Sequence, residues 1–496
     1  MSTHRFLRSA LATASLIALH AAAHAGVDPT VIPVNSQIGS LRIPLKCTFP
    51  IIGKQTLNIK LTGSMATTVT PGQPFYMTDG SGVLEMPQLL SDLVYAMGAR
   101  SGNGQITELN FNLTNATPST INGLSSPIVI NKLPIVKGQP VRLALPPTGF
   151  IQVGPMTAST KEGQILVKMG GAKGTLKLLT ASGKSLLWDL GVNCAAPDPA
   201  IIVLGMTIAG TPTNEVSAPH TNIRTEDLDT PPMTQSGSLR FPLSCNVQGI
   251  GRRELDGTFN GVAPALYAPG EVFNAGQGHG RIIVPASVVN ELLDQVPSAA
   301  TASTTIDLLE FTSTNTTPAS VNMAAKGNIT GSDAALTRGQ DLVTRIPANT
   351  DLAIGPFKAN PTGSDTALYV GRTGASVQLK NRAGQVIDTR HIDCDTPNPA
   401  TTIVSVTIGG AAVSPAVVSD VSPASVTAAG GTTVTITGKN FTNTRAVTFG
   451  GVPATSYKVT NSTHISAVVP ALPAGKVDVV VQGQGGSDNV GTLTIQ

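Results

Sequence analysis

The stretch Gly39-Ser40-Leu41-Arg42-Ile43-Pro44-Leu45-Lys46-Cys47 reappears 198 residues later as Gly237-Ser238-Leu239-Arg240-Phe241-Pro242-Leu243-Ser244-Cys245. In both stretches apolar side chains occupy every second position, which is the period of a strand with one buried face. The sequence therefore predicts the same strand twice, each time ending on a cysteine.

Further matches keep nearly the same separation along the chain, so a whole domain is duplicated. They include Pro71-Gly72 with Pro269-Gly270, Asn115 to Asn122 with Asn315 to Asn322, Gly154-Pro155 with Gly355-Pro356, and Cys194 with Cys394. We place copy one at 37–210 and copy two at 237–410. The linker between them, 211–236, is rich in Thr and Pro, and this composition predicts an extended, semi-rigid spacer.

Each copy also contains one segment with helical rather than strand periodicity. The segments are Pro87 to Met97 and Pro285 to Val296, where apolar residues recur at helical spacing after an opening proline. Proline is favoured in the first turn of a helix. Each copy is thus predicted to be β-sandwich-like with one short covering helix.

The four cysteines fall two to a copy, at matched positions. Four cysteines allow three pairings. Only Cys47–Cys194 with Cys245–Cys394 keeps each copy self-contained, so the duplication selects these two disulfides. A metal site is the alternative, but no pair has the C-x-x-C spacing typical of zinc ligands.

Composition and the N-terminus indicate an exported protein. The chain has 51 Gly and 36 Pro among 496 residues, only 12% charged residues, and a formal charge of +3; these values exclude coiled coils, collagen and intrinsically disordered chains. Residues 1–25, with two arginines, an apolar run and Ala23-His24-Ala25, predict a cleaved signal peptide. Its removal lowers the charge to +1, which argues against nucleic-acid partners. No later segment is long and apolar enough to predict a transmembrane helix.

The chain after residue 410 has short alternating strands separated by Gly and Pro turns, the pattern of an all-β sandwich. Its main segments are Val421-Ser422-Pro423, Gly430-Gly431-Thr432-Thr433-Val434-Thr435-Ile436-Thr437-Gly438, Phe449-Gly450-Gly451, Thr463-His464-Ile465 and Val477-Asp478-Val479-Val480-Val481.

These segments resemble, in order, the IPT/TIG family, and the resemblance covers residues 419–496. It implies an immunoglobulin-like fold and an adhesive or spacer role. The family's DNA-binding branch is disfavoured by the predicted export. The two upstream copies resemble bacterial secreted repeat domains of unknown function, through the opening Leu-x-x-Pro-Leu-x-Cys and the late Cys.

Few residues are arranged for chemistry. The four histidines after residue 25 have no paired spacing, no metal or cofactor motif is found, and Asp79-Gly80-Ser81-Gly82, although similar to a serine-nucleophile loop, lies in a copy without histidine. The one polar element shared by both copies holds Asn115 and Asn122, with Asn315 and Asn322. We interpret it as a structural turn, with a polar binding rim as the alternative.

The fold class predicted is therefore all-β: two tandem disulfide-linked β domains followed by an immunoglobulin-like IPT/TIG sandwich. We expect an exported, non-catalytic surface, secreted or periplasmic protein with an adhesive, binding or envelope-structural role. Its expected partners are a surface protein or a polysaccharide, and self-association through strand edges is a further option. The alternative is a secreted hydrolase or its carbohydrate-binding accessory protein.

Overall fold

A computed structural model of the chain describes residues 28–210 and 220–496. The predicted signal peptide and the first part of the linker, 211–219, lie outside the described residues. Within them the chain forms 39 β-strands and two α-helices. The protein is all-β, which confirms the fold class predicted from the sequence.

Copy one follows a short 3-10 turn at Pro29–Val31 and contains thirteen strands and helix α1. They are β1 (Ser36–Phe49), β2 (Gly53–Ala66), β3 (Thr68–Val69), β4 (Pro74–Met86), α1 (Gln88–Ala96), β5 (Ser101–Leu113), β6 (Ala116–Thr117), β7 (Thr120–Asn122), β8 (Ile128–Pro134), β9 (Val141–Leu145), β10 (Ile151–Ala158), β11 (Gly163–Leu179), β12 (Leu190–Cys194) and β13 (Ile202–Ile208).

The strands of copy one form two layers, which are continuous through the pairing of β1 with β12. The antiparallel order is β4–β2–β1–β12–β11–β5, with β9 and β10 added beside β4 and with β7 and β8 beside β5. The buried faces of both layers meet in one apolar core, to which Ile59 and Phe75 contribute from one side and Phe111 and Met169 from the other. The alternation seen in the sequence of β1 is thus the alternation between this core and the outer surface.

Copy two repeats this arrangement after a second 3-10 turn at Thr225–Asp227. Its elements are β14 (Thr234–Val247), β15 (Gly251–Pro264), β16 (Leu266–Tyr267), β17 (Val272–Phe273), β18 (Gln277–Val284), α2 (Ala286–Gln295), β19 (Thr301–Ser313), β20 (Thr316–Thr317), β21 (Ser320–Asn322), β22 (Ile329–Thr330), β23 (Ala334–Ala335), β24 (Leu342–Ile346), β25 (Leu352–Ala353), β26 (Phe357–Ala359), β27 (Ser364–Lys380), β28 (Val386–Cys394) and β29 (Thr402–Ile408). The strand order is β18–β15–β14–β28–β27–β19.

Both helices form where the sequence predicts them, and both begin directly after a proline. In α1 the side chains of Leu90, Ser91 and Val94 are buried against copy one. In α2 the buried side chains are Val288, Val289 and Leu293. Each helix therefore covers one end of its copy, with the apolar face turned inward.

Both disulfides form as the duplication predicts, Cys47 with Cys194 and Cys245 with Cys394. In each copy the two cysteines are opposite one another in the ladder between two central strands, β1 with β12 and β14 with β28. All four side chains are buried. The bridges therefore hold the two layers of each copy together at the point where the layers are continuous.

The two copies are joined by a direct strand pair. Residues Ser36 to Arg42 of β1 run antiparallel to Thr234 to Arg240 of β14. Side chains add hydrogen bonds across this junction, because Gln164 donates to the Ser405 hydroxyl at 2.9 Å and the Thr207 hydroxyl donates to the Ala400 carbonyl at 2.8 Å. The duplicated domains therefore share one extended sheet.

The C-terminal unit is a sandwich of two five-stranded sheets. One has the order β35–β36–β32–β30–β38 and the other β31–β39–β37–β33–β34. Their bounds are β30 (Ala416–Ser422), β31 (Ser425–Val426), β32 (Thr433–Lys439), β33 (Ala446–Phe449), β34 (Val452–Pro453), β35 (Ser456–Asn461), β36 (His464–Val468), β37 (Gly475–Gln482), β38 (Ser487–Asn489) and β39 (Gly491–Ile495). The two sheets enclose a core around Ile436, Phe441 and Phe449, as the immunoglobulin-like resemblance implies.

Candidate functional site

The described part of the linker, 220–236, is hydrogen-bonded to copy one. The buried carboxylate of Asp79 accepts hydrogen bonds from the backbone N–H of Thr221, from its hydroxyl at 3.1 Å, and from the N–H of Asn222 at 3.1 Å. The linker N–H of Thr225 donates to the Ser81 hydroxyl at 2.9 Å. The sequence did not predict this contact, because isolated buried side chains such as Leu228 leave no periodic pattern.

The segment that precedes copy one makes the reciprocal contact with copy two. The guanidinium of Arg240 donates to the carbonyl of Thr30 at 3.0 Å, and that of Arg281 pairs with Asp28 at 2.6 Å. On the other side, the Lys60 ammonium donates to the Leu228 carbonyl, and burial lowers the pKa of Lys60. Each copy therefore holds the N-terminal arm of the other.

Asp79 and Ser81, which belong to a sequence similar to a nucleophile loop, lie within strand β4 and are used by this contact. Linker residue His220 does reach Asp79, with its Nδ1 3.4 Å from the carboxylate. The Ser81 side chain is buried and accepts from Thr225, so it faces the linker and is covered by it. The geometry favours a structural role for this part of β4.

The four asparagines of the predicted binding rim are engaged in backbone contacts. Asn115 and Asn315 adopt positive φ angles and donate to the carbonyls of Gln164 and Asp365, at 2.8 and 2.7 Å. In copy one the amide oxygen of Asn122 accepts from the N–H groups of Leu109 and Leu124, at 3.0 and 3.1 Å.

Asn322 repeats this arrangement in copy two, accepting from Leu309 and Ala324 at 3.1 and 3.0 Å. These contacts are those that a structural turn requires. The binding-rim alternative stays a prediction.

An apolar cavity of about 120 Å³ lies between the layers of copy one. Its lining includes Phe49, Leu57, Leu84, Leu109, Leu143 and Leu176. An apolar cavity of about 150 Å³ stays dry and accepts a molecule the size of benzene. The cavity is therefore the candidate site for a small apolar ligand.

The corresponding space in copy two is divided. It consists of cavities of about 70 and 40 Å³, and Thr373 lines both. Thr373 occupies the position of Ala172 in copy one. The side chain of Thr373 is larger, and it lies where the space in copy two is divided into two cavities. Two sequence copies with one fold thus differ in what their interiors can hold.

A polar cluster lies at the mouth of the larger cavity in copy two. His279 Nδ1 is 3.0 Å from the carboxylate of Asp351, which also receives Arg345 at 3.1 Å. Burial, followed by the charge of Arg345, lowers the pKa of His279 below its ordinary value, and the hydrogen bond to Asp351 opposes this. Sequence spacing did not reveal this cluster, because 72 residues separate the histidine from its partner.

A buried carboxylate joins copy two to the C-terminal sandwich. Glu271, whose side chain is 8% exposed, pairs with Arg445 at 2.5 Å and accepts from the Gln484 side chain at 3.1 Å. Arg445 also donates to the Val272 carbonyl, and the Val272 N–H donates to Gln484 O, both at 2.9 Å. The matching position in copy one holds the uncharged Gln73. This difference in charge between Glu271 and Gln73 is the sequence signal that could have indicated the contact.

The described ranges contain no candidate metal centre and no candidate membrane-spanning helix. Within 28–210 and 220–496, no group of three or more His, Cys, Asp or Glu side chains could hold a metal ion. No helix in those ranges has the length and apolarity needed to cross a membrane.

Sequence and structure comparisons place parts of the chain among known proteins. No curated protein sequence matches the chain. Among solved structures, it is similar at 12% identity and a TM-score of 0.14 to the Bacteroides ovatus protein SGBP-B of a mixed-linkage glucan utilization locus, covering 51% of this chain and 60% of that one. It is also similar to SGBP-B of a Bacteroides uniformis xyloglucan utilization locus, at 13% identity and a TM-score of 0.15, covering 46% of this chain and 45% of that one.

For invasin, a bacterial integrin-binding protein, the identity is 10%, the TM-score 0.14, and the coverages 89% and 60%. The chain spans less than two thirds of the length of all three proteins, and TM-scores this low carry no argument about ligand or topology. The family profiles are more specific. Residues 416–496 match the IPT/TIG domain, and residues 45–205, nearly all of copy one, match a family of unknown function, DUF6801. The chain therefore carries an IPT/TIG domain at its C-terminal end, preceded by a domain of the DUF6801 family.

Proposed function

We propose that this is an exported, non-catalytic protein that binds a surface partner or supports the bacterial envelope. The observation that carries the proposal is the docking of all three β units on one another. The shared β1–β14 ladder joins the copies, and the buried Glu271–Arg445 pair fixes the IPT/TIG domain on copy two. Three sandwiches docked in series could hold a binding domain at a fixed distance from the point where the protein is attached to the envelope.

Export is supported by the buried disulfides. Disulfides persist in oxidising compartments such as the periplasm and the cell exterior. The N-terminal pattern at residues 1–25 supplies an export signal of the usual type. Both features agree with a surface, secreted or periplasmic location.

The proposal is tested by expressing the full chain in a bacterial host and fractionating the cells. We expect a chain that begins near Gly26, has both disulfides formed, and is found in the envelope or the medium. Pull-down with the 26–496 protein on immobilised envelope components then identifies the partner. Retention of residues 1–25 and reduced cysteines in a cytoplasmic pool would contradict export.

A carbohydrate-binding accessory role is the second candidate, and Trp188 is the observation that favours it. This single tryptophan of the chain is 66% exposed on copy one, and exposed aromatic rings stack on sugars. Co-sedimentation with insoluble polysaccharides, compared with that of Trp188→Ala, tests this role. Binding that is lost in the variant would favour the accessory protein, whereas equal binding of both proteins would exclude Trp188 as the sugar platform.

A further inference from the structure

One end of copy one exposes a group of large apolar side chains, which we call the apolar tip. Its members are Ile51, Leu89, Leu93, Met97, Val136 and Trp188, with exposures from 39% at Met97 to 86% at Leu89. Contiguous exposed apolar surface of this kind marks sites of interaction with proteins or membranes.

The members of the apolar tip come together around helix α1. Leu89, Leu93 and Met97 are four residues apart, so they lie along one face of the helix, beside the face that buries Leu90 and Val94. The loop with Val136 is held to the helix because the N–H of Gly138 donates to Asp92 at 2.7 Å. The loop that leads to Trp188 packs at the helix end through Leu186, which belongs to the same apolar cluster as Tyr95 and Ile52.

Copy two provides an internal control, because it has the same fold without the apolar tip. Its matching positions hold Gly249, Ser287, Glu291, Gln295, Thr337 and Asp388. Several of these are tied into polar contacts. Glu291 pairs with Arg253, Gln295 donates to the Gly249 carbonyl at 2.9 Å, and Asp388 pairs with Arg390 at 2.6 Å. The fold of the domain therefore does not require apolar residues at this end.

Basic side chains surround the apolar tip. Lys54, Arg100, Lys137 and Lys184 are all exposed there. Of the nearby carboxylates, Asp189 pairs with Lys177 at 2.9 Å and Asp92 receives the loop N–H. In copy two, Arg252 and Arg338, which match Lys54 and Lys137, pair with Asp395 and Asp294. These four basic residues, which we call the basic rim, come from four separate segments of the chain. The sequence therefore contains no run of basic residues that would indicate the rim.

We propose that the apolar tip is a membrane-binding surface, which inserts its leucine face into the interfacial region of an anionic lipid bilayer. Apolar side chains that enter this region contribute in proportion to their buried area. Tryptophan is enriched at the depth of the lipid head groups, and lysine and arginine are attracted to anionic lipids. A second copy of the chain is the competing occupant, but it would bring two basic rims face to face. The charge of the rim thus favours lipid, and the inference stands independently of the partner proposed above.

The test uses the single tryptophan as a reporter. The 26–496 protein is mixed with vesicles of phosphatidylcholine alone, or of phosphatidylcholine with phosphatidylglycerol. We expect the emission of Trp188 to shift to shorter wavelength, and the protein to sediment, with the anionic vesicles, with both effects declining as salt is added. Unchanged emission and a protein that stays in the supernatant with both vesicles would overturn the proposal.

A variant that carries the residues of copy two sharpens the test. In Leu89→Ser/Leu93→Glu/Met97→Gln we expect vesicle partitioning to fall at least about tenfold, with an unchanged circular dichroism spectrum. The control, Val452→Ser/Tyr457→Ser, removes two exposed apolar side chains of the IPT/TIG domain and should bind as the parent does. Equal partitioning of the parent and the triple variant, or a concentration-dependent dimer that only the triple variant abolishes, would overturn the membrane assignment.

Discussion

Gly39 lies directly opposite Gly237, its own counterpart in the duplication, in the ladder between β1 and β14. Since each of the residues Ser36 to Arg42 is matched 198 positions later, an antiparallel register centred on this pair relates β1 and β14 by a local two-fold axis. A two-fold contact uses the same surface on both partners. The duplication also gives the equivalent glutamines the same contact, since Gln37 donates to the Gly205 carbonyl and Gln235 to the Ser405 carbonyl, each within its own copy.

The symmetry is imperfect at the glycines, and this leads to the first prediction. A Cβ on Gly237 would lie 2.8 Å from the Ile38 carbonyl oxygen, whereas a Cβ on Gly39 would meet the end of the Leu204 side chain. A side-chain end can move, but the backbone carbonyl cannot move without loss of the ladder. We expect Gly237→Ala to lower the free energy of unfolding by about 1–3 kcal/mol and Gly39→Ala by less.

Urea denaturation of the two variants measures the difference. Gly191→Ala is the matched control, because it lies in a strand and a Cβ there meets nothing within 4 Å. Equal losses for Gly39→Ala and Gly237→Ala would show that the interface relaxes equally around both positions.

The second prediction concerns the junction with the IPT/TIG domain. Arg445→Ala leaves the buried carboxylate of Glu271 without its cation. Because the arginine is half-exposed, we expect the free energy of unfolding to fall by about 1–3 kcal/mol. The junction should loosen, so that proteases cut faster near residues 410–415 and the IPT/TIG domain unfolds in a separate calorimetric transition.

A matched control is Arg252→Ala, which removes one partner of an ion pair that is more than 60% exposed on both sides and should change neither measurement, since such pairs contribute little. Glu271→Gln introduces the residue of copy one. Its rate of cleavage near residues 410–415 should lie between those of the parent and Arg445→Ala. Identical cleavage of Arg445→Ala and the parent would indicate that the backbone contacts of Val272 hold the junction alone.

The sequence predicted the features that depend on local pattern or on the duplication. The alternation in Leu41, Ile43 and Leu45 predicted β1, and the matched cysteines predicted both disulfides. Contacts between units had no such pattern, because the attraction of Glu271 to Arg445 spans 174 residues. The contact of the linker with copy one could not be predicted for a similar reason, since the buried Thr225 and Leu228 are too few to form a periodic apolar face.

The third prediction separates the structural and binding interpretations of the asparagines. Asn122→Ala leaves two backbone N–H groups, those of Leu109 and Leu124, without their acceptor. We expect a loss of about 1–3 kcal/mol in stability, less for Asn122→Asp, which keeps the acceptor oxygen. The exposed Ser125→Ala serves as the control. A variant of unchanged stability that fails to bind the partner found by pull-down would instead favour the binding rim.

The last prediction concerns pH and His279. Its pKa in the folded protein is lowered, mainly by burial and then by the nearby Arg345, from the ordinary value of 6.5. The unfolded chain therefore binds a proton at this histidine at a higher pH than the folded chain does. It follows that the contribution of His279 to stability is present above pH 6.5 and is lost as the pH falls through the lowered value.

Thermal unfolding between pH 7 and pH 5 should show this loss in the parent and a flatter profile in His279→Gln. Asp351 opposes the lowering through its hydrogen bond to the ring. In Asp351→Asn the pKa of His279 should therefore fall further, and acidification should destabilise that variant more steeply than the parent. Parallel pH profiles for the parent and His279→Gln would mean that other groups control acid stability, because the histidine would then bind protons equally in both states.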